Sequence, residues 1–221
     1  MEGLLKSNKK KHKVKRGGRK HKKKTESLII FSSNAQGLKS KIQSLKSELK
    51  SSNAGGFTIQ ESHFRKKGKL KVDNFEIFEA IRNKESGGSI IGAHKSLNPI
   101  LISEHSDEFE LLVVEIQVKN KDIRIITGYG PQESWPEAER ISFFVALEQE
   151  IAKAEMQGKS IFIEMDSNSK LGPDIISKDP HKQSANGKIL SGIIDRHGLI
   201  VGNGLASKCV GVRIKTQLRK A

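Results

Sequence analysis

A single cysteine, Cys209, stands among 221 residues, so no intrachain disulfide can form and nothing calls for an oxidising compartment. No apolar stretch approaches the ~20 residues of a membrane span, and the basic N-terminus lacks the apolar core of a signal peptide. Tyrosine and tryptophan occur once each, as Tyr129 and Trp135, and no internal repeat is apparent. These absences exclude a disulfide-stapled secreted scaffold, a helical membrane protein and a solenoid. The sequence predicts a soluble intracellular protein with one substantial core.

Acid is scarce at one end. Twelve of the 40 Lys and Arg residues precede Thr25, against one acid, Glu2, so only +4 of the total charge of +15 belongs to the remainder. From Lys6 to Lys24, Val14 is the only aliphatic side chain, and such a block cannot bury enough surface to offset the entropy of ordering. A disordered basic tail over 1–26 and one folded domain over 27–221 are therefore expected. Basic runs of this kind bind nucleic acid or act as nuclear localisation signals, which predicts a nuclear protein, otherwise a cytoplasmic one, and not a secreted one. The plain alternative is a solvated tail that only aids solubility.

Within the domain, apolar runs of strand length dominate. Leu28 to Ser32, Phe57 to Gln60, Phe75 to Ile81, Gly88 to His94, Pro99 to Ser103 and Ser160 to Met165 read as strands. Phe109 to Val118 and Asp122 to Tyr129 read as a hairpin turning around Asn120-Lys121. Leu38, Ile42, Leu45 and Leu49 recur at helical spacing, and that helix ends near Asn53. Ser134-Trp135-Pro136-Glu137 has the pattern of a capping box. It opens a helix with Ile141, Phe144, Val145, Leu147 and Ile151 as its buried stripe and Gly158 as its stop. A further helix runs from about Gly187 to His197, before a strand at Leu199 to Val201. This order suits an α/β fold of two packed β-sheets flanked by helices, a four-layer α/β sandwich.

Two of the strands break abruptly into acids and amides. One runs into Gln60-Glu61-Ser62-His63, the other into Glu164-Met165-Asp166-Ser167-Asn168. Strand ends are where ligands bind in such sheets. Delivered to one rim, Glu61, Asp166 and Asn168 would make a hard-oxygen site for Mg²⁺ or Mn²⁺; otherwise each carboxylate merely faces solvent. Tyr129 stands between two glycines at a strand end. Either it packs at the edge of the core, or the glycines let a substrate backbone come close. Arg65, Lys66, Lys67 and Lys69, in the loop after Glu61, form either a solvated surface or a phosphate contact. His63 and His94 read as surface or supporting residues, and His197 as a structural residue at a helix end.

Five segments, in order, carry a family resemblance. They are Ser33-Asn34-Ala35-Gln36-Gly37-Leu38, then Ile59-Gln60-Glu61-Ser62-His63, then Gly128-Tyr129-Gly130-Pro131-Gln132. Asp166-Ser167-Asn168-Ser169-Lys170-Leu171-Gly172 follows, and last come Asn186-Gly187-Lys188 and Leu199-Ile200-Val201-Gly202-Asn203. From about Leu28 to Ile214 the chain resembles the endonuclease/exonuclease/phosphatase superfamily, above all the apurinic-endonuclease-like domain that precedes the reverse transcriptase in non-LTR retrotransposons. The resemblance implies a divalent-metal-dependent endonuclease that nicks DNA. It implies Glu61 as the Mg²⁺ or Mn²⁺ ligand and Asn34 as a residue that helps hold metal site and phosphate. Asp166 then orients or deprotonates the nucleophile, Asn168 donates its amide to the scissile phosphate, and Tyr129 lines that phosphate. DNA is the implied partner, RNA the second option, and no membrane is involved. The implied state is a monomer, or a domain fused to a reverse transcriptase in the parent element.

Superfamily members end in a further pair of strands carrying an Asp and a Ser-Asp-His segment, whose His is the usual general base or phosphate stabiliser. No Ser-Asp-His triplet occurs in this sequence, and His181 lies in the wrong place to replace it. The expectation is a sandwich with its last strands missing and an activity that is weak or lost. A non-catalytic nucleic-acid-binding remnant is the alternative. A phosphatase or phospholipase of the same superfamily fits the metal residues but not the basic tail.

Overall fold

The computed structural model describes residues 28–81, 87–106, 109–173, 175, 181–202 and 212–215. The predicted basic tail lies outside them. Strand β1 (Ile30–Asn34) leads through a 3-10 turn into helix α1 (Ile42–Ser52). Strands β2 (Gly56–Gln60), β3 (Phe75–Ala80), β4 (Ser89–His94), β5 (Ile100–His105), β6 (Glu110–Val118) and β7 (Lys121–Tyr129) follow. Helix α2 (Glu137–Met156), β8 (Ser160–Met165), α3 (Ala185–Arg196), β9 (Ile200–Val201) and β10 (Val212–Lys215) complete the order. One sheet is four-stranded, in the order β1-β2-β4-β3; the other is six-stranded, β5-β6-β7-β8-β10-β9. The pairs β1/β2 and β7/β8 run parallel.

The period of two along each strand sorts the apolar side chains into three layers. Phe31, Phe57 and Ile59 pack with Leu45 and Leu49 of α1 on the outside of the smaller sheet. Val113, Ile126, Ile161 and Ile163 pack with Phe144, Leu147 and Ile151 of α2 and with Leu190 of α3 on the outside of the larger one. Ile91, Ala93, Leu112, Val114 and Ile125 fill the space between the sheets. Helix, sheet, sheet and helices therefore stack as the four-layer α/β sandwich that the element order implied. Each fully buried large side chain, Phe57 for example, stabilises by roughly 1.5–3 kcal/mol relative to exposure.

Local details differ from expectation for local reasons. Helix α2 starts at Glu137 with an extended Pro136 (φ −51°, ψ 139°) at its N-cap and no side-chain cap. Trp135 N–H donates to the Gln132 carbonyl at 3.0 Å, so Ser134 belongs to a preceding turn and the capping box does not form. The helix carries two apolar stripes, and only one meets the sheet. Phe143, Phe144, Leu147, Ile151 and Ala154 are buried, whereas Ile141 and Val145 are exposed at 44% and 46%. The β6–β7 turn is Lys119-Asn120, one residue earlier than predicted, with both residues at positive φ as a type I′ turn requires. The sequence predicts no strand after Val201, yet β10 pairs antiparallel with both β8 and β9. Four residues are too few to announce themselves by periodicity.

Helix α3 is fastened to α2 by charge. Arg196 donates from Nε and Nη2 to the two oxygens of Glu148 at 2.7 and 2.9 Å, and His197 lies 2.7 Å from Glu155. The Arg196 bonds, opposed by desolvation, hold Glu148 below its ordinary value of 4.5. A carboxylate depressed in the folded state adds stability above its unfolded pKa and loses it as pH falls through the folded one. Glu148→Gln is therefore expected to cost under about 1 kcal/mol at neutral pH, the range of an exposed pair. Urea unfolding of both proteins would show that difference vanishing as the pH is lowered past the folded-state pKa, below 4.5. A difference that persists unchanged in acid would rule out this cause.

Candidate active site

The alternation that builds the inter-sheet core also decides what stands at its mouth. Ile30 of β1 faces the larger sheet, and so, four residues on, does Asn34. Phe57 and Ile59 of β2 face α1, which turns Thr58 and Gln60 the other way. Ile125 of β7 and Phe162 of β8 face the smaller sheet, and the same period carries Thr127 and Tyr129, then Glu164 and Asp166, to that side. Gln60 spans the gap: its Nε2 donates to Thr127 Oγ1 at 2.9 Å and to the Glu164 carbonyl at 3.3 Å. The C-terminal ends of the two parallel pairs thus meet at one rim.

Glu61 reaches that rim by leaving the strand pattern. Alternation would send it toward α1 with Phe57 and Ile59. Its φ of 53° lies in the left-handed region, which a residue with a Cβ seldom adopts. Neighbouring loops hold the turn. Gly37 N–H donates to the Glu61 carbonyl, Ser62 N–H to that of Gly88 and His63 N–H to that of Gly87, each at 2.9 Å. The Glu61 carboxylate then meets Asn34, whose Nδ2 donates to Glu61 Oε1 at 2.8 Å and to Asp166 Oδ2 at 3.1 Å. One amide ties a carboxylate from each sheet, leaving the two acids within two hydrogen-bond lengths of each other. Asn34 Oδ1 accepts from Gln36 N–H at 3.2 Å, so Asn34 offers the rim hydrogen rather than oxygen.

The second strand end is equally constrained. Asp166 Oδ1 accepts from Asn168 N–H at 3.2 Å, and Asn168 Nδ2 donates to the Gly130 carbonyl at 2.7 Å. Asn168 also has a left-handed φ, of 46°. Tyr129 is half-buried and bridges to Asp166 across the parallel strand pair. The glycines beside it serve packing rather than substrate approach. A Cβ on Gly128 would meet the Glu110 carbonyl oxygen at 2.6 Å, and one on Gly130 the Ser167 carbonyl oxygen at 2.6 Å. Protein backbone already fills the space that a substrate was expected to use.

Other predicted residues are placed less centrally. Arg65, Lys66, Lys67 and Lys69 are all exposed. Lys67 is ion-paired with Glu104 of β5, and Gly68 N–H donates to Glu79 Oε2 of β3, so the loop is pinned to the flank of the sandwich. Burial pushes the Glu79 carboxyl up from its ordinary value. His94 caps the turn after β4, accepting from Ser96 N–H at 3.3 Å. His63 stands closer to the rim than the sequence suggested, with Nε2 3.7 Å from Glu61 Oε2. Glu110 and Asn186 are both fully buried, and the sequence suggested a role for neither. Glu110 accepts from Gly88 N–H at 2.6 Å, behind the Glu61 turn. Asn186 had a signal, since it opens one of the five segments of the resemblance.

The donor set admits one kind of cation better than another. Among the described residues, no group of three His, Cys, Asp or Glu side chains could enclose a metal ion, as a closed zinc centre requires. Mg²⁺ keeps several waters and takes one or two carboxylates, and Glu61 and Asp166 provide those at one place. No described helix is long and apolar enough to cross a membrane.

No family model matches the sequence, and no curated protein matches it. Solved structures do. The endonuclease domain of TRAS1, a telomere-specific non-LTR retrotransposon, aligns at a TM-score of 0.59 with 18% identity, covering 86% of this chain and 86% of that one. An AP endonuclease from Archaeoglobus fulgidus aligns at 0.57 with 16% identity, over 77% and 71% of the two chains. The 3′ phosphatase NExo from Neisseria, bound to a product DNA hairpin, aligns at 0.59 with 14% identity, over 86% and 87%. At such identities the likeness is one of architecture. The chain has the fold of the AP endonucleases and of a retrotransposon endonuclease domain, the fold that the five sequence segments implied.

Proposed function

We propose that this chain is a retrotransposon-derived, divalent-metal-dependent endonuclease that nicks DNA. The observation that carries the reading is the single Asn34 amide joining Glu61 of one sheet to Asp166 of the other. Glu61 would hold Mg²⁺, or Mn²⁺, whose charge polarises the phosphate and neutralises what develops in the transition state. Asp166 has each oxygen engaged by a fixed donor, and so is oriented to position a water and accept its proton. Asn168 uses one N–H on Gly130 and keeps a second for a phosphoryl oxygen. Tyr129 lines the same rim. DNA as substrate is supported by what the structural relatives are: a retrotransposon endonuclease domain, an AP endonuclease, and a 3′ phosphatase bound to a DNA hairpin. The tail and the loop of Arg65, Lys66 and Lys69 add sequence-independent attraction to the backbone, and the tail directs the protein to the nucleus. The protein acts as a monomer, or joined to a reverse transcriptase in its parent element.

Incubation with supercoiled plasmid tests this directly. Nicked circles are expected with Mg²⁺ or Mn²⁺ and none with EDTA. Tight DNA binding with no nicking in either metal would favour the non-catalytic remnant instead.

A further inference from the structure

Asn186 lies in the first turn of helix α3 and is wholly buried. Its side chain has every group engaged. Nδ2 donates to the Pro131 carbonyl at 2.7 Å and to the Asn168 carbonyl at 3.3 Å, while Oδ1 accepts from Arg140 Nη1 at 3.1 Å. Its backbone N–H donates to Glu133 Oε1 at 3.1 Å. Turning the amide over would set oxygen against two carbonyls and NH₂ against a guanidinium, so only one orientation is possible. The partners are three separate parts of the chain: the segment leaving β7, the segment leaving β8, and α2. Two of them are the strand ends that present Tyr129 and Asn168.

The contact is reinforced on both sides. Ser184 caps α3, its hydroxyl accepting from Gly187 N–H at 3.1 Å. A Cβ on Gly187 would meet the Lys170 carbonyl oxygen at 1.9 Å, so α3 begins directly against the loop that carries Asn168. Asn168 needs such support, because its left-handed φ is unfavourable for a side chain and its own amide is aimed by a bond to Gly130, the neighbour of Pro131. Both ends of the Asn168–Gly130 bond therefore lie on backbone that Asn186 holds.

We propose that Asn186 is the positioning residue that sets Asn168 and the Gly130-Pro131 strand end in register at the rim, an inference that rests on the nuclease reading. It touches no substrate; it acts through Asn168. Asn186→Asp keeps the shape and the Arg140 contact but turns two donors into acceptors facing carbonyls. In the full chain this variant is expected to lower kcat for plasmid nicking by about 10- to 100-fold, the cost of a small misplacement. KM is expected to stay within about twofold, since the basic tail and loop proposed to govern binding are untouched and only the aim of Asn168 at the scissile phosphate changes. In an Asn168→Ala background the same substitution is expected to cost almost nothing further, because the two residues act as one unit. A penalty of equal size in both backgrounds would overturn the proposal.

A second readout does not need activity. In the native chain the Asn168 side-chain amide, held on Gly130, is expected to exchange slowly with solvent by NMR, and Asn186→Asp is expected to speed that exchange at least tenfold, the effect of losing about 1.4 kcal/mol of protection. Unchanged exchange would overturn the proposal. If the native chain never nicks DNA in Mg²⁺ or Mn²⁺, the nuclease reading falls and the exchange experiment alone decides the role of Asn186. If Asn186→Asp does not fold, Arg140→Met, which removes the donor to Oδ1 and so loosens the amide without reversing it, carries the same pair of measurements. Coupling to Asn168 at smaller amplitude then supports the proposal, and its absence refutes it.

Discussion

Asp166→Asn is expected to nick supercoiled plasmid about 10²–10⁴-fold more slowly than the native chain, the usual contribution of a positioned proton acceptor. The substitution preserves size and shape, so folding is not at issue. What changes is that an amide group can take no proton, and that its NH₂ must face either Asn34 Nδ2 or Asn168 N–H, both donors in the native site. DNA affinity is expected to hold or rise, because a negative charge leaves a surface that meets phosphate. The loss therefore falls on kcat. Glu61→Gln is expected to differ in kind: its defect appears first as a demand for more metal, since the carboxylate proposed to hold the cation is gone. Initial rates across a metal titration, with both variants beside the native chain, separate the two roles: the Glu61→Gln defect is relieved by added metal, whereas the larger part of the Asp166→Asn defect persists at saturating metal because no proton acceptor is left. Native rates from Asp166→Asn would show that the rim is not where the chemistry occurs.

Deleting the tail through Thr25 is expected to lower affinity for any duplex without regard to sequence. The tail holds 12 of the 40 basic residues, and engagement of only about six phosphates gives a slope of about −5 in log K against log salt. Such a slope means a loss of about 10³ in affinity between roughly 50 and 200 mM salt. The shortened chain is expected to show a much shallower slope, while the rate of nicking from the bound complex stays the same. Electrophoretic mobility shifts over a salt series are sufficient. If affinity and slope both survive the deletion, the tail is not the binding element, and the exposed loop of Arg65, Lys66 and Lys69 becomes the better candidate.

Much of this architecture is local in origin and was accordingly legible. Strand β8 coincides with its predicted range because Ser160-Ile161-Phe162-Ile163 alternates between a helix-facing and a sheet-facing layer, and Gly158 separates it from α2. Helix α1 ends at Asn53, whose left-handed φ of 51° is what an Asn at that place suggests. Where two local signals competed, tertiary contact chose between them. Ile141 and Val145 make as good a stripe as Phe143 and Leu147, and only the packing of α2 on β6 and β8 left the first pair outside. The glycines around Tyr129 marked a close approach correctly, yet the approaching group is the chain's own backbone.

The sequence by itself determined the element order as far as β9, from which the four layers follow, and which strand ends carry acid and amide, because each element depends on residue spacing within itself. It could not determine that Glu61 turns to the rim. That depends on a left-handed backbone at one residue, held by hydrogen bonds to loops 24 to 26 positions away in the chain, from Gly37 on one side and to Gly87 and Gly88 on the other. Nor could it determine that one Asn34 amide joins acids from two sheets, or that Asn186 braces the loop of Asn168. Such bonds join groups distant in sequence, and their partners come within reach only when the two sheets have closed upon their common core.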